Sequence, residues 1–129
     1  MSNAQQQPAV YDVVGVGNAL VDVISHADDQ FIHEYELVKG SMTLIDTDRA
    51  LYLYKALGSA VEMSGGSAAN TMTGVASFGG KAAYIGKVND DELGRVFGHD
   101  LRAVGVQFRP GAHVEQTATG RCIIVVTPD

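Results

Sequence analysis

The chain has one cysteine, Cys122, and no tryptophan among its 129 residues. A lone cysteine excludes an intrachain disulfide framework, and its setting in Cys122-Ile123-Ile124-Val125-Val126 predicts a packed strand side chain. Basic residues are also scarce: nine Lys and Arg against fifteen Asp and Glu give a net charge of −6. A nucleic-acid groove needs a clustered basic face to displace phosphate counterions, and no such cluster occurs, so no nucleic-acid partner is expected. No apolar run approaches the ~18 residues of a membrane span, and residues 1–10 lack the basic and apolar regions of a signal peptide. The expectation is a cytoplasmic protein with no membrane partner, its residues 1–10 forming a disordered polar tail. A G-x-x-x-x-G-K-[ST] phosphate loop is missing too. The histidines His26, His33, His99 and His113 have none of the spacings of metal or deaminase sites, so they read as surface residues and no metal site is expected.

What is present has the size of one domain, 46% hydrophobic and punctuated by fifteen glycines. The run from Tyr11 to Gly17 reads as a short buried strand, and Leu20 to Ser25 as a second extended segment with no helix between them. Asp28 to Tyr35 suits a short polar helix and Ser41 to Ile45 a short strand. Asp46 and Thr47 offer caps for a helix whose apolar face is Ala50, Leu51, Leu53, Tyr54 and Leu57, stopped by Gly58. Val61 to Ser64 alternates as a half-exposed strand. A helix of small residues follows from Ser67 to about Phe78, then a buried strand over Ala82 to Gly86. Asp90, Asp91 and Glu92 then start a helix to about Ala103, as a dipole-favoured cap. Val106 to Phe108, His113 to Gln116 and Arg121 to Thr127 complete the strands. The pattern predicts a mixed α/β sheet with a small β appendage.

Chemistry concentrates in two places. Ser64-Gly65-Gly66-Ser67-Ala68-Ala69-Asn70 joins a strand to a helix start, where glycines permit close approach and unpaired N–H groups favour oxygen-rich ligands. Asp22 interrupts an apolar run and shares a strand face with Leu20 and Ile24; it needs either a strand-face salt bridge or a sugar diol to accept from. Gly15-Val16-Gly17-Asn18-Ala19-Leu20 begins like a dinucleotide fingerprint, but Leu20 stands where the third glycine belongs and a strand follows, which disfavours a nicotinamide site. Two readings of this stretch stay open: a tight strand exit, or Asn18 and Asp22 pointing into a pocket.

Taken in order, Gly15 to Asp22, Gly65 to Asn70, Gly79, Asn89 to Gly94 and Thr119 to Cys122 carry a resemblance. The chain from Tyr11 to Asp129 resembles the amino-terminal part of the PfkB carbohydrate and nucleoside kinases, the ribokinase family, and within it the adenosine-kinase-type branch. Met72 and Asn89 depart from the family's usual small residue and glycine. The resemblance implies a ribokinase-like, Rossmann-type sheet with helices, present as a partial domain, plus a small β-strand lid near residues 19–25, 41–45, 61–64 and 113–126. It implies that Asp22 holds the acceptor sugar's hydroxyls, assisted by Asn18, Gly65, Gly66 and Asn70 with Ser67 nearby. Leu20 and Cys122 would lie against the base or sugar, and Met42 and Leu44 near the base. The substrate is then a sugar or an adenosine-like nucleoside, phosphorylated by ATP with Mg2+ in a complete enzyme. Neither ATP nor Mg2+ is expected to be bound fully by this chain. The G-A-G-D motif that supplies the family's catalytic base is nowhere in this sequence, so no catalytic residue is assigned. The alternative is a non-catalytic nucleoside- or sugar-binding module that dimerises through its lid strands.

Overall fold

The computed structural model describes residues 9–111 and 117–128. In chain order these form β1 (Val13–Val16), β2 (Leu20–His26), α1 (Asp29–Glu34), α2 (Thr47–Ala56), β3 (Ala60–Gly65), α3 (Ser67–Ser77), β4 (Ala82–Ile85), α4 (Glu92–Ala103), β5 (Gln107–Phe108) and β6 (Gly120–Val126). Two three-stranded sheets result. One is all parallel, ordered β1-β4-β5; the other is ordered β3-β2-β6, with β2 antiparallel to β3 and parallel to β6.

Local chemistry accounts for the helices. Asp28, Asp46 and Asp91 are the N-caps of α1, α2 and α4, their carboxylates accepting from Phe31, Arg49 and Gly94 N–H at 3.0, 2.8 and 2.8 Å. Each such cap contributes about 1 kcal/mol. Close approach explains the small residues of α3: a Cβ on Gly17 would stand 2.8 Å from Ala68 Cβ, and one on Gly15 2.9 Å from Met72 Cγ. Met72 thus fills the space that Gly15 leaves, and both Ala69 and Met72 are buried. The core is closed by Tyr84, Phe97 and Phe108, whose ring centroids lie 5.3–5.7 Å apart in tilted and edge-on contacts. Val21 and Val23 of β2 add to the same core, which therefore joins the two sheets.

Several expectations need correction. The strand β1 forms, but it is not buried: α3 covers the face of Gly15 and Gly17 while Val14 and Val16, on the opposite face, have no cover among the described residues, and Val13 is exposed at the start of the strand. Residues 41–46 form no strand. A strand needs a ladder partner, and this exposed stretch has none among the described residues. The strand β3 alternates with one face exposed, as its sequence predicts, and that face is the apolar one, with Val61 and Met63 outward and Glu62 and Ser64 half-buried. Tyr54 Oη donates to Glu62 and Asp100 accepts from Ser64 N–H at 2.8 Å, so polar contacts occupy the inner face. The predicted strand at His113 to Gln116 lies outside the described residues, as does His113. His26, His33 and His99 are exposed, as anticipated.

Candidate functional site

The β2 strand alternates as its sequence requires: Val21, Val23 and Ser25 are buried, while Leu20, Asp22 and Ile24 share the other, half-buried face. Register then assembles that face. Asp22 stands opposite Met63 on one side and Cys122 on the other, and Leu20 opposite Gly65 and Gly120. The result is a carboxylate set in an apolar, partly open surface. Among the described residues no cation pairs with Asp22, which removes the strand-face salt bridge as its explanation.

Glycine is required at two points beside it. A Cβ on Gly65 would fall 2.5 Å from Asp22 Oδ2, so only glycine leaves room for the carboxylate. Gly66 has φ +90°, in the region that favours glycine, and forms the N-cap of α3 without any side-chain cap. The first amides of α3 therefore keep their donors free for an external acceptor, beginning within a residue of the segment that touches Asp22. Asn18, Ser67 and Asn70 are exposed around this cradle, and Asn18 O approaches to 3.0 Å of where a Gly66 Cβ would sit.

The structure thus brings together Leu20, Asp22, Gly65, Gly66 and Cys122, with Asn18, Ser67 and Asn70 along the adjoining chain and helix start. Met42 and Leu44 are not packed against the cradle. They are 80% and 90% exposed on the strandless segment between α1 and α2. Cys122 corrects a second expectation: it is exposed on the Asp22 face and not packed within the sheet. Partial burial of its sulfur, and then the Asp22 carboxylate beside it, push the thiol pKa up.

Three further residues escaped the sequence reading in their present roles. Met63 flanks Asp22 through antiparallel pairing, which periodicity alone does not assign. Thr119, one residue before β6, is buried and hydrogen-bonded to Asp91 through both its N–H and its hydroxyl, at 2.8 and 2.6 Å. Tyr54 lies under the Arg121 guanidinium, 5.5 Å from the ring centroid, and donates to Glu62. Thr119 and Arg121 stood within a motif of the sequence, but nothing local gave their partners.

The donor set suits hydroxyl groups, not polyphosphate. A carboxylate at the centre accepts from hydroxyls and repels phosphate, and among the described residues no three His, Cys, Asp or Glu side chains gather as an all-protein metal site would require. The cradle around Asp22 therefore suits the phosphates of ATP poorly.

A parallel α/β layer carrying a small sheet, with a carboxylate beside a glycine-capped helix start, defines an α/β protein of the ribokinase-like class. A family model described as pfkB family carbohydrate kinase matches residues 36–129. The chain belongs to that family. It is 54% identical to adenosine kinase from Sinorhizobium meliloti, with a TM-score of 0.79 over 94% of this chain and 37% of that one. With a probable sugar kinase from Rhizobium etli it shares 50% identity and a TM-score of 0.78, over 92% of this chain and 36% of that one. Adenosine kinase 2 of Arabidopsis thaliana is 28% identical over 120 residues, covering 88% of this chain and 34% of the relative. The chain thus spans about a third of the length of these relatives, and its fold is a partial ribokinase-like domain.

Proposed function

We propose that this chain is the acceptor-binding, amino-terminal portion of an ATP-dependent kinase whose acceptor is an adenosine-like nucleoside or a sugar. One observation carries the reading: the half-buried Asp22 carboxylate, unpaired among the described residues, beside a helix start with no side-chain cap. Asp22 accepts hydrogen bonds from two neighbouring sugar hydroxyls. The free amides of α3 and the Asn18 and Asn70 carboxamides complete the polar contacts. Leu20, Met63 and Cys122 supply an apolar surface for the base or the sugar ring. The sheet β3-β2-β6 acts as the lid, excluding water from the site where the hydroxyl would be phosphorylated. ATP and Mg2+ belong to residues beyond those present here, and the isolated 129-residue chain is expected to transfer no phosphoryl group.

Titration calorimetry with adenosine, ribose and fructose tests the reading. Heat from one of these ligands, abolished by Asp22→Asn in a protein of unchanged circular dichroism, is the expected result. Binding that survives Asp22→Asn would remove Asp22 from the site. Similarity to proteins named adenosine kinase and probable sugar kinase supports both acceptor classes. The apolar Met63 and Cys122 give shape but little hydrogen-bond discrimination between them.

A further inference from the structure

The β6 strand lines the acceptor face, yet little in its own sequence fixes its phase. Arg121, Ile123 and Val125 lie on one face and Cys122, Ile124 and Val126 on the other, so both faces are largely apolar. Alternation of that kind specifies register weakly, and a slip of one residue exchanges the two faces. Nor is there a tight turn to set it. The β6 strand pairs with β2 in parallel, and parallel neighbours cannot be joined by a hairpin.

We propose that Asp91 is a positioning residue which, through Thr119, pins β6 in register against β2 and so holds Cys122 beside Asp22 on the acceptor face. Asp91 uses both carboxylate oxygens. Oδ1 accepts from Gly94 N–H at 2.8 Å and from the Thr119 hydroxyl at 2.6 Å, while Oδ2 accepts from Thr119 N–H at 2.8 Å. The Thr119 hydroxyl oxygen in turn accepts from Asn89 N–H at 2.9 Å, and Asn89 Nδ2 donates to Thr117 O at 3.1 Å. Thr119 is 3% exposed, so these bonds are sheltered from water. Gly94 has no Cβ because one would stand 3.1 Å from Thr119 Oγ1 and closer still to Asn89 O, which shows how tightly the strand entry is held to the helix start.

The next residue is Gly120, opposite Leu20, where a Cβ would come within 2.8 Å of Leu20 Cδ2 and 3.0 Å of Ala19 O. A side chain there would displace Leu20 and crowd the backbone at Ala19, so glycine lets the two strands approach closely in the observed register. The Asp91–Thr119 pair anchors it one residue away. Two residues further on, Cys122 meets Asp22. A helix cap that contacts no part of the cradle thereby decides which β6 side chains face the acceptor. The consequence for binding rests on the acceptor-site reading, whereas the consequence for register does not.

The test separates the cap from the pin. Asp91→Ser keeps a good N-cap for α4 but lacks the second oxygen that reaches Thr119; Thr119→Val removes the hydroxyl, and Thr119→Ser retains it. Amide exchange and cross-strand Overhauser contacts are followed by NMR on the whole chain. In Asp91→Ser and Thr119→Val, the amides of residues 121–126 should exchange at least tenfold faster and the contact between residues 22 and 122 should vanish. The α4 amides should stay within twofold of the unsubstituted chain, and Thr119→Ser should stay within twofold throughout. Retention of the 22–122 contact in Asp91→Ser, or equal loss of protection in α4 and β6, would overturn the inference in favour of a purely structural cap. Calorimetry on the same proteins, with whichever of adenosine, ribose and fructose the unsubstituted chain takes up, should show affinity at least tenfold weaker in Asp91→Ser and Thr119→Val and restored in Thr119→Ser. If the unsubstituted chain takes up none of adenosine, ribose and fructose, the acceptor reading fails while the exchange pattern still decides the register inference.

Discussion

Asp22 and Gly65 work as one unit. The carboxylate occupies the volume that any other residue at position 65 would fill, so Gly65→Ala should displace it. The obstacle is the tip of a short side chain, and its rotation off a preferred rotamer costs about 1 kcal/mol. The expected outcome is a small fall in melting temperature with at least a tenfold loss of nucleoside or sugar affinity, read by calorimetry; unchanged affinity would show that Asp22 is not the acceptor contact. Tyr54 offers a second test. Its hydrogen bond to Glu62, then burial, push its pKa from 10.0 to about 12. A raised folded-state value favours the neutral phenol, so its stabilising effect is complete below pH 10 and is lost as pH rises through about 12. Tyr54→Phe should flatten that part of the alkaline unfolding curve, and the phenolate absorbance of the intact chain should rise late.

At the scale of elements, the helices were legible because their signals are local. Asp28, Asp46 and Asp91 all cap where acids precede apolar periodicity, and Gly66 opens α3 where the double glycine stood. Strands were less so, since a strand exists only with a partner: residues 41–45 have strand composition and no ladder, and β3 turns its apolar side outward. The α4 cap also has an acid dependence. Burial pushes the Asp91 carboxyl up, but bonds from the Thr119 hydroxyl and N–H and from Gly94 N–H, with the Arg121 charge, outweigh it and leave the pKa below 3.8. A depressed folded-state value means stability that is full above 3.8 and lost as pH falls through the folded value. Asp91→Asn should therefore be less stable at neutral pH and show a shallower acid-unfolding slope, measured by urea denaturation at several pH values.

For the whole molecule, the parallel sheet is covered on one face only among the described residues. Val14, Val16 and Ile85 lie exposed on the other, at 50%, 73% and 58%. Apolar surface of this kind promotes association. Val16→Lys should leave the unfolding free energy within about 0.5 kcal/mol of the original and shift sedimentation profiles at high concentration toward the monomer. A large loss of stability would mean that Val16 is packed in solution. The relatives are about three times as long as this chain, which fits a sheet face that this chain does not itself cover.

The sequence by itself determined what is local or periodic: the α/β class, the helix starts, the period-2 face that carries Asp22, and the glycine cradle at Gly65 and Gly66. Its ordered motifs also pointed to the family that the chain joins. Only the tertiary structure decided what depends on partners far along the chain. Pairing of β2 with β3 and β6 put Met63 and Cys122 beside Asp22, the lack of a ladder left Met42 and Leu44 exposed, and packing of α3 on one side left β1 open on the other. The reason is physical: a cap or an alternation is settled within a few residues, whereas register, burial and the company a carboxylate keeps are settled by segments that meet only when the chain has folded.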